Sequence, residues 1–504
     1  MKPSRRLDVQ VHALLRRARD VYRAEREQAA LLDRQLARMT EPLRVAIAGK
    51  VKAGKSTLLN ALVGERVAAT DSAECTRAVT WYRGAAAPRI TLVPRSGPGR
   101  RLPIVRQDGA LSIDLLGTPP DEVDRLVVDW PSSSLRATTL IDTPGIGSLS
   151  AEISARTTAF LLDQDEPSEA DAVIYLMRHV HTTDLTFLEA FHDNTLARAT
   201  PMNTVAVLAR ADEIGAGRLD AMTSAHRIAR RYAADERLRG LCHTVVPVAG
   251  LLAETARTLR QAEINALAAL ARAPREEVGS WLLSADRFLA LSQHTIALPP
   301  ADLLARLGLF GIRLGITLIR QGFAGPAELT AELVRRSGLD ELRRVLATQF
   351  TTRGHLLKAR SGLLVLDTLL RCHPRPGSVP LLGEVERLLA GAHEFTELRL
   401  LDELRSGVLE LPGGVTAQAE VLLGSAGSDI CTRLGLEPEA DRRQAHAAAL
   451  AALGEWQRRA ENPLLNRRIV QAARMLVRTC EGLLADIGQN DAHPGQGEKI
   501  HTIV

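Results

Sequence analysis

The spacing of apolar residues changes character twice along the 504-residue chain. From residue 5 to residue 38, Leu7, Val11, Leu14, Leu15, Val21, Leu31, Leu32 and Leu36 recur mostly at three- and four-residue steps among Arg and Glu, which predicts one amphipathic helix. Glu41-Pro42 breaks it, since a residue preceding proline is pushed out of the helical region. From Leu43 the pattern becomes short apolar runs bounded by turn residues. LRVAIAG (43–49), RAVTWYR (77–83), ATTLIDTPG (137–145), DAVIYLMR (171–178), NTVAVLAR (203–210) and HTVVPVAG (243–250) read as buried strands. Helical stretches at 55–64, 151–162, 184–193 and 218–236 alternate with them. Such alternation predicts a mostly parallel α/β sheet with helices on both faces. The polar, Gly/Pro-punctuated stretch 84–131 reads as a strand-rich insertion between the second and third core strands.

After about residue 251 the strand period does not return. Helical stretches follow one another to residue 487, with breaks at Pro299-Pro300, 322–326, 373–383, 412–414 and 436–439. The expected organisation is an N-terminal neck helix (1–41), an α/β nucleotide domain (42–285), an all-α bundle of neck and trunk (286–490) and a polar tail (491–504). The first helix is expected to return and pack with the C-terminal helices.

Composition narrows the class. Aromatic residues make up only 3% of the chain, and the Ala- and Leu-rich second half favours helix bundles over sandwiches or barrels. The apolar run 303–319 is interrupted by Arg306 and Arg313, so no transmembrane helix is expected. The charged N-terminus lacks the apolar core of a secretory signal, which points to the cytoplasm. Five scattered cysteines imply reduced thiols and no metal-ligand pair. The net charge of +5 allows attraction to an acidic membrane surface without demanding nucleic acid. Lysine occurs only at 2, 50, 52, 55, 358 and 499, so half of all lysines crowd into one short loop.

That loop is Gly49-Lys50-Val51-Lys52-Ala53-Gly54-Lys55-Ser56, a G-x-x-x-x-G-K-S sequence between an apolar strand and a helix opening at Thr57. Gly49 and Gly54 let the backbone wrap phosphates with its N–H groups inward. Lys55 supplies a point charge to the β- and γ-phosphates, and Ser56 a hydroxyl to Mg²⁺. Asp142-Thr143-Pro144-Gly145 ends a strand as D-x-x-G: Asp142 to hold Mg²⁺ through water, Gly145 N–H to sense the γ-phosphate. Thr76 stands where a switch threonine would reach Mg²⁺, with Thr70 and Thr80 as rivals. Lys55, Ser56, Thr76 and Gly145 are thus the catalytic candidates, and Ser56, Thr76 and Asp142 the metal ligands.

Base recognition is expected after the next strands. Ala209-Arg210-Ala211-Asp212 occupies the place of an [NT]-K-x-D element. Asp212 can accept from guanine N1–H and the exocyclic amine, and Arg210 can lie across the base. A helix N-cap is the plainer role for Asp212. Ala249 and Gly250 would offer backbone N–H to the guanine carbonyl. The expected ligands are GTP or GDP with Mg²⁺.

In this order the five elements resemble the dynamin-like branch of large GTPases. EPLRVAIAGKVKAGKSTLLNALVGE, ATDSAECTRAVTWYR, IDTPGIGSLS and ARADEIGAGRLDAM are similar, more closely, to the mycobacterial isoniazid-inducible dynamin-like proteins of the C type. The resemblance runs nearly the full length. It implies a GTPase head on a helical neck and trunk, GTP-dependent assembly with itself or a related dynamin-like GTPase, and work at the inner leaflet of the plasma membrane on anionic lipid. One position departs: where many relatives carry Gln or Ser to place the attacking water, this chain has Lys50, either a charge stabiliser or a solvated loop lysine.

Arg306, Arg313 and Arg320 fall on one helix stripe at seven-residue steps, either a solvated trunk face or a membrane-surface contact. Residues 372–382 read as a connector or as a lipid-touching tip. Three functions follow: a membrane-remodelling dynamin-like GTPase, a nucleotide-binding regulator of a related GTPase, and a ribosome-associated GTPase. The last usually carries a basic RNA-binding module with exposed aromatics, which is not evident here.

Overall fold

The computed structural model describes residues 3–68, 78–107, 109–144, 169–193, 203–291, 296–405 and 407–489. The chain divides into two compact units, Thr40–Val365 and Met1–Met39 with Leu366–Val504.

The first unit is built on a nine-stranded sheet. Its strands are β1 (Leu43–Gly49), β2 (Val79–Gly84), β3 (Arg89–Pro94), β4 (Arg100–Leu102), β7 (Val123–Trp130), β8 (Thr138–Asp142), β9 (Ala172–Met177), β10 (Thr204–Ala209) and β11 (Val245–Val248), with β5 (Val105–Gln107) and β6 (Ala110–Ser112) forming a separate hairpin. The order across the sheet is β11-β10-β9-β1-β8-β2-β7-β3-β4. From β11 to β8 every neighbouring pair is parallel, while β2 runs antiparallel to β8. Every residue of β9, β10 and β11 is buried, the near-continuous apolar run of strands covered on both faces. The stretch after β2 is an extension of the main sheet: β7 adds in parallel to β2 and β3 antiparallel to β7.

Register decides where the site lies. Ile47 pairs with Asp142, Gly49 with Leu176 and Ala209 with Val248, so the carboxyl ends of β1, β8, β9, β10 and β11 finish together. Loops after parallel strands carry ligands at that edge. Helices α3 (Lys55–Val63), α4 (Thr182–Asp193), α5 (Ala221–Ala233), α6 (Gly250–Arg257) and α7 (Gln261–Arg272) follow in the chain.

Three helices expected to belong to the trunk pack in this same unit: α8 (Pro300–Arg320), α9 (Pro326–Arg336) and α10 (Leu339–Val345). The three α8 arginines, expected as a solvated or membrane-facing stripe, instead donate within this unit. Arg306 pairs with buried Glu263 at 2.8 Å and donates to the Thr258 carbonyl, and its own carbonyl accepts from Thr255 Oγ1. Arg313 donates to the carbonyls of Ala216, Gly217 and Leu282, and Arg320 to those of Ala271 and Ala273. The stripe fastens α8 to the nucleotide unit. The division between units falls within α11 (Gly354–Cys372), at residues 365 and 366.

In the second unit the expected single N-terminal helix is two, α1 (Pro3–Val21) and α2 (Arg26–Thr40). No Gly or Pro marks the break. Tertiary contacts set it: buried Tyr22 donates its hydroxyl to the His373 carbonyl at 2.5 Å, and Glu25 pairs with Arg375 at 2.9 Å. These contacts also hold His373 and Arg375, in the stretch 372–382 read as a connector or a lipid-touching tip, against the α1–α2 turn. Arg17 of α1 pairs with Glu384 of α12 (Ser378–Gly391) at 2.8 Å. Helices α13 (His393–Arg405), α14 (Thr416–Leu422), α15 (Arg442–Ala460) and α16 (Arg467–Gln489) complete the unit. Ala445 and Ala449 near the start of α15 cluster with Ile487 at the end of α16, so the two long helices run antiparallel. No helix among the described residues is long and apolar enough to cross a membrane.

Candidate nucleotide site

The loop between β1 and α3 has the shape its glycines predict. Gly49 adopts φ +145° and Gly54 φ +98°, and a Cβ on Gly49 would stand 2.5 Å from the Leu176 carbonyl oxygen. Only glycine fits there. Lys52 also adopts a left-handed φ of +62° without being glycine. Val51 and Lys52 are exposed, and Ala53 is buried beneath them. Lys55 Nζ donates to the Gly49 and Lys50 carbonyls at 3.1 and 3.2 Å, holding its ammonium across the loop mouth. Burial lowers its pKa, opposed by the negative charge of Asp142. The amino end of α3 adds its positive dipole at the same place.

Ser56 Oγ donates to Asp142 Oδ2 at 3.0 Å. Burial pushes the Asp142 carboxyl upward, resisted by Lys55 and by the Ser56 hydrogen bond. Asp142 Oδ1 is buried and has no hydrogen-bond partner among the described residues. A buried carboxylate oxygen with an open lone pair beside a hydroxyl is a donor set for a hard divalent cation, so these residues fit Mg²⁺. Thr143 is locked to the Ile47 carbonyl at 2.9 Å, fixing the strand end that carries Asp142. Thr76 and Gly145 lie outside the described residues, as does the helical stretch 151–162.

Lys50 is neither a free loop lysine nor aimed at open solvent. Its Nζ meets buried Asp184 Oδ2 at 3.2 Å. Asp184 is itself held by the Tyr175 hydroxyl at 2.8 Å and the His181 N–H at 3.1 Å, and burial beside that carboxylate raises the Tyr175 pKa. Sequence reasoning missed Asp184; nothing in TTDLTF distinguishes it from an ordinary first-turn acid.

On the other side of the loop, a cavity of about 200 Å³ is bounded by Gly54, Thr57, Arg210, Asp212, Gly250 and Leu251, among others. Asp212 lies within a 3-10 turn at 8% exposure, and burial raises its pKa to about 6. Arg210 adopts φ +53° and donates to Glu213 at 2.8 Å and to the Lys52 carbonyl at 3.1 Å. It therefore ties the base-reading loop to the phosphate loop, a task Ala209 has no side-chain group to perform. Ala249 is a correction: it is fully buried and its N–H donates to the Ser337 carbonyl at 2.9 Å, so it has no proton left for a base. Gly250, first residue of α6, remains at the cavity wall. Gly308 of α8, with φ +63° inside the helix, brings its backbone close to the same site: a Cβ there would be 4.0 Å from Asp212 Oδ2.

A family model described as "50S ribosome-binding GTPase" matches residues 44–207, from β1 to β10. The isoniazid-induced protein IniC of Mycobacterium tuberculosis is 41% identical over 493 residues, covering 96% of this chain and 99% of that protein. The isoniazid-induced protein IniA of the same organism is 36% identical over 149 residues, 28% of this chain and 22% of its own length. Among solved structures, a chain from an oligomerised bacterial dynamin pair is similar over 97% of this chain and 75% of its own, at 12% identity and a TM-score of 0.34. Identity of 41% over nearly the full length of both chains assigns this chain to the bacterial dynamin-like GTPases, in their isoniazid-induced C-type branch.

Proposed function

We propose that the chain binds GTP with Mg²⁺, hydrolyses it to GDP and phosphate, and couples that cycle to assembly on the inner leaflet of the plasma membrane. The observation that carries the nucleotide part is the Ser56–Asp142 pair, whose second, buried carboxylate oxygen has no partner among the described residues and whose charge acts on Lys55. Mg²⁺, when bound, supplies charge neutralisation on the β- and γ-phosphate oxygens. Loop N–H groups and Lys55 orient the phosphates, Thr76 is the further hydroxyl ligand proposed for Mg²⁺, the Gly145 N–H is proposed to sense the γ-phosphate, and Asp212 with Gly250 reads guanine. Water adds to the γ-phosphorus as its bond to the bridging oxygen breaks, and catalysis rests on positioning and electrostatics.

For the membrane part, the support is an exposed apolar tip. Leu464, in the loop joining α15 and α16, is 90% exposed, the highest value of any large apolar side chain among the described residues. Exposed Arg458 and Arg467 flank it, a pairing suited to anionic lipid.

GTP hydrolysis measured with and without anionic liposomes tests both parts. Hydrolysis should be detectable alone, rise with liposomes, and vanish in Lys55→Ala along with nucleotide binding. Ser56→Asn should weaken GTP more than GDP. A second reading, a nucleotide-binding regulator of a related dynamin-like GTPase, is favoured by the commitment of Lys50 to Asp184, which leaves no water-placing side chain at that position. Tight GTP binding with no hydrolysis under any condition would establish it.

A further inference from the structure

We propose that a second cavity in the nucleotide-binding unit, at the carboxyl end of α3, binds an anionic amphiphile: a carboxylate or phosphate head on an apolar chain. The cavity has a volume of about 360 Å³, within the range of small-molecule sites. Val45, Leu62, Leu140 and Phe350 form its apolar part, all nearly fully buried, and Arg257 and Arg343 bring two guanidinium groups to the same space. The α3 helix is nine residues long, so about 13 Å of helix separates this cavity from the phosphate-binding end. It is a distinct site.

Ordinary structural duty accounts for part of the arginine pair. Arg343 Nη2 donates to the Ala61 and Leu62 carbonyls at 3.2 Å, satisfying the end of α3. Arg257 stands at the solvent-exposed side of the recess and has no comparable anchor. Among the described residues it makes no hydrogen bond and no ion pair, and its guanidinium lies across Gly64, where a Cβ would collide with Nη2. Nor does any carboxylate of the described residues come within ion-pair distance of Arg343. Two cations share one recess and repel each other; burial first, and then the charge of Arg257, lowers the Arg343 pKa, with the charge of Asp340 opposing. An anion between them would relieve the repulsion and accept hydrogen bonds from planar donors suited to carboxylate or phosphate. An apolar floor beneath paired cations specifies the rest of the ligand, since a bare anion would leave that surface unfilled.

A local irregularity borders the same space. Residues Leu346–Thr351 form a π-helical turn between α10 and α11, and Leu346, Ala347, Phe350 and Thr351 all line the cavity. Such turns cost hydrogen-bond geometry and concentrate at functional sites.

The test titrates the full chain with decanoate by calorimetry, with decanol and inorganic phosphate as tail-only and head-only controls. Decanoate should bind one-to-one, more weakly at high salt, and at least about tenfold better than either control. Arg257→Gln, which removes no hydrogen bond of the fold, should weaken decanoate about tenfold or more while leaving GDP affinity unchanged. Ala347→Phe, which fills the mouth, should do the same by sterics. Phosphatidylglycerol vesicles that displace decanoate would identify the head as a membrane lipid's; failure to displace it would identify a soluble amphiphile. Equal binding of decanoate and decanol, or decanoate binding untouched by both substitutions, would overturn the proposal.

Discussion

Arg210 donates from Nη2 to the backbone carbonyl of Lys52 at 3.1 Å, and both residues hold left-handed backbone angles that side-chain-bearing residues seldom adopt. Each strained turn thus braces the other. One carries the phosphate loop and the other the base-reading loop. Arg210→Ala should remove this brace and weaken GTP and GDP alike by about tenfold, the effect of one charge-assisted hydrogen bond at a half-exposed site. Preference for guanine over adenine nucleotides should not change, because Asp212 is untouched. Competition titrations with GTP and ATP measure both quantities; a lost preference would mean that Arg210 reads the base directly.

The proposed reading of guanine by Asp212 predicts a nucleotide affinity that depends on pH. Burial holds its carboxyl at about 6, above the ordinary 3.8. Guanine needs the ionised form, which accepts two hydrogen bonds. Affinity for GDP should therefore be full above pH 7 and fall about tenfold for each unit below 6. Apo stability has the opposite sign: the folded form binds the proton more tightly than the unfolded one, so Asp212 destabilises the fold as pH rises from about 4 to 6. Asp212→Asn should flatten both profiles and shift binding towards xanthine nucleotides. A GDP affinity equal at pH 5 and pH 7.5 in the parent protein would refute the role.

Much of this site was legible because phosphate chemistry constrains backbone and sequence together. Strand β1 begins and ends where the apolar run LRVAIAG does, and Gly49 and Gly54 adopt the angles that made them necessary. What sequence could not supply was the identity of partners across the fold. Ala249 looks free until Ser337, far along the chain, takes its N–H. The α8 arginines recur at seven-residue steps, but the non-helical Gly308 kinks the helix between Arg306 and Arg313, and the acceptors opposite Arg313 and Arg320 are backbone carbonyls, which residue type does not mark. The α1–α2 break likewise follows from Tyr22 meeting a carbonyl, with no turn residue to announce it.

The helical unit has its own titrating centre. Burial would raise the Glu397 carboxyl, yet the hydrogen bond from His393 and the charge of Arg433, 2.6 Å away, outweigh it and hold the group at about 2. Since the folded value lies below the ordinary 4.5, the resulting stability is complete above pH 4.5 and disappears as pH falls towards 2. The shift corresponds to roughly 3 kcal/mol. Glu397→Gln should lower the melting temperature at pH 7 and lose little more on acidification to pH 3, whereas the parent should lose several degrees. Parallel pH profiles of the two proteins would show that the cluster does not titrate as a unit.

Membrane contact can now be tested at a different place from the arginine stripe. Arg306 answers the charge of Glu263, which is only 3% exposed, so replacing it strands a buried carboxylate at a cost of about 3–5 kcal/mol. Exchanging the three stripe arginines for Gln would therefore damage the nucleotide-binding unit and say little about lipid. Leu464 has no such structural duty: it is 90% exposed, and its loss removes no packing from the fold. Inserting one leucine into lipid is worth about 1.5–3 kcal/mol, too little to hold a monomer but sufficient when several protomers assemble. The flanking Arg458 and Arg467 add about 1 kcal/mol each near an anionic surface, a contribution that salt screens. Leu464→Asp should thus abolish sedimentation with phosphatidylglycerol liposomes in the presence of a GTP analogue, while its melting temperature and GDP affinity match the parent. Arg458→Gln with Arg467→Gln should retain binding at low salt and lose it near about 150 mM. If Leu464→Asp sediments as fully as the parent, this loop is not the membrane contact, and the exposed Val379 of α12 becomes the next residue to replace.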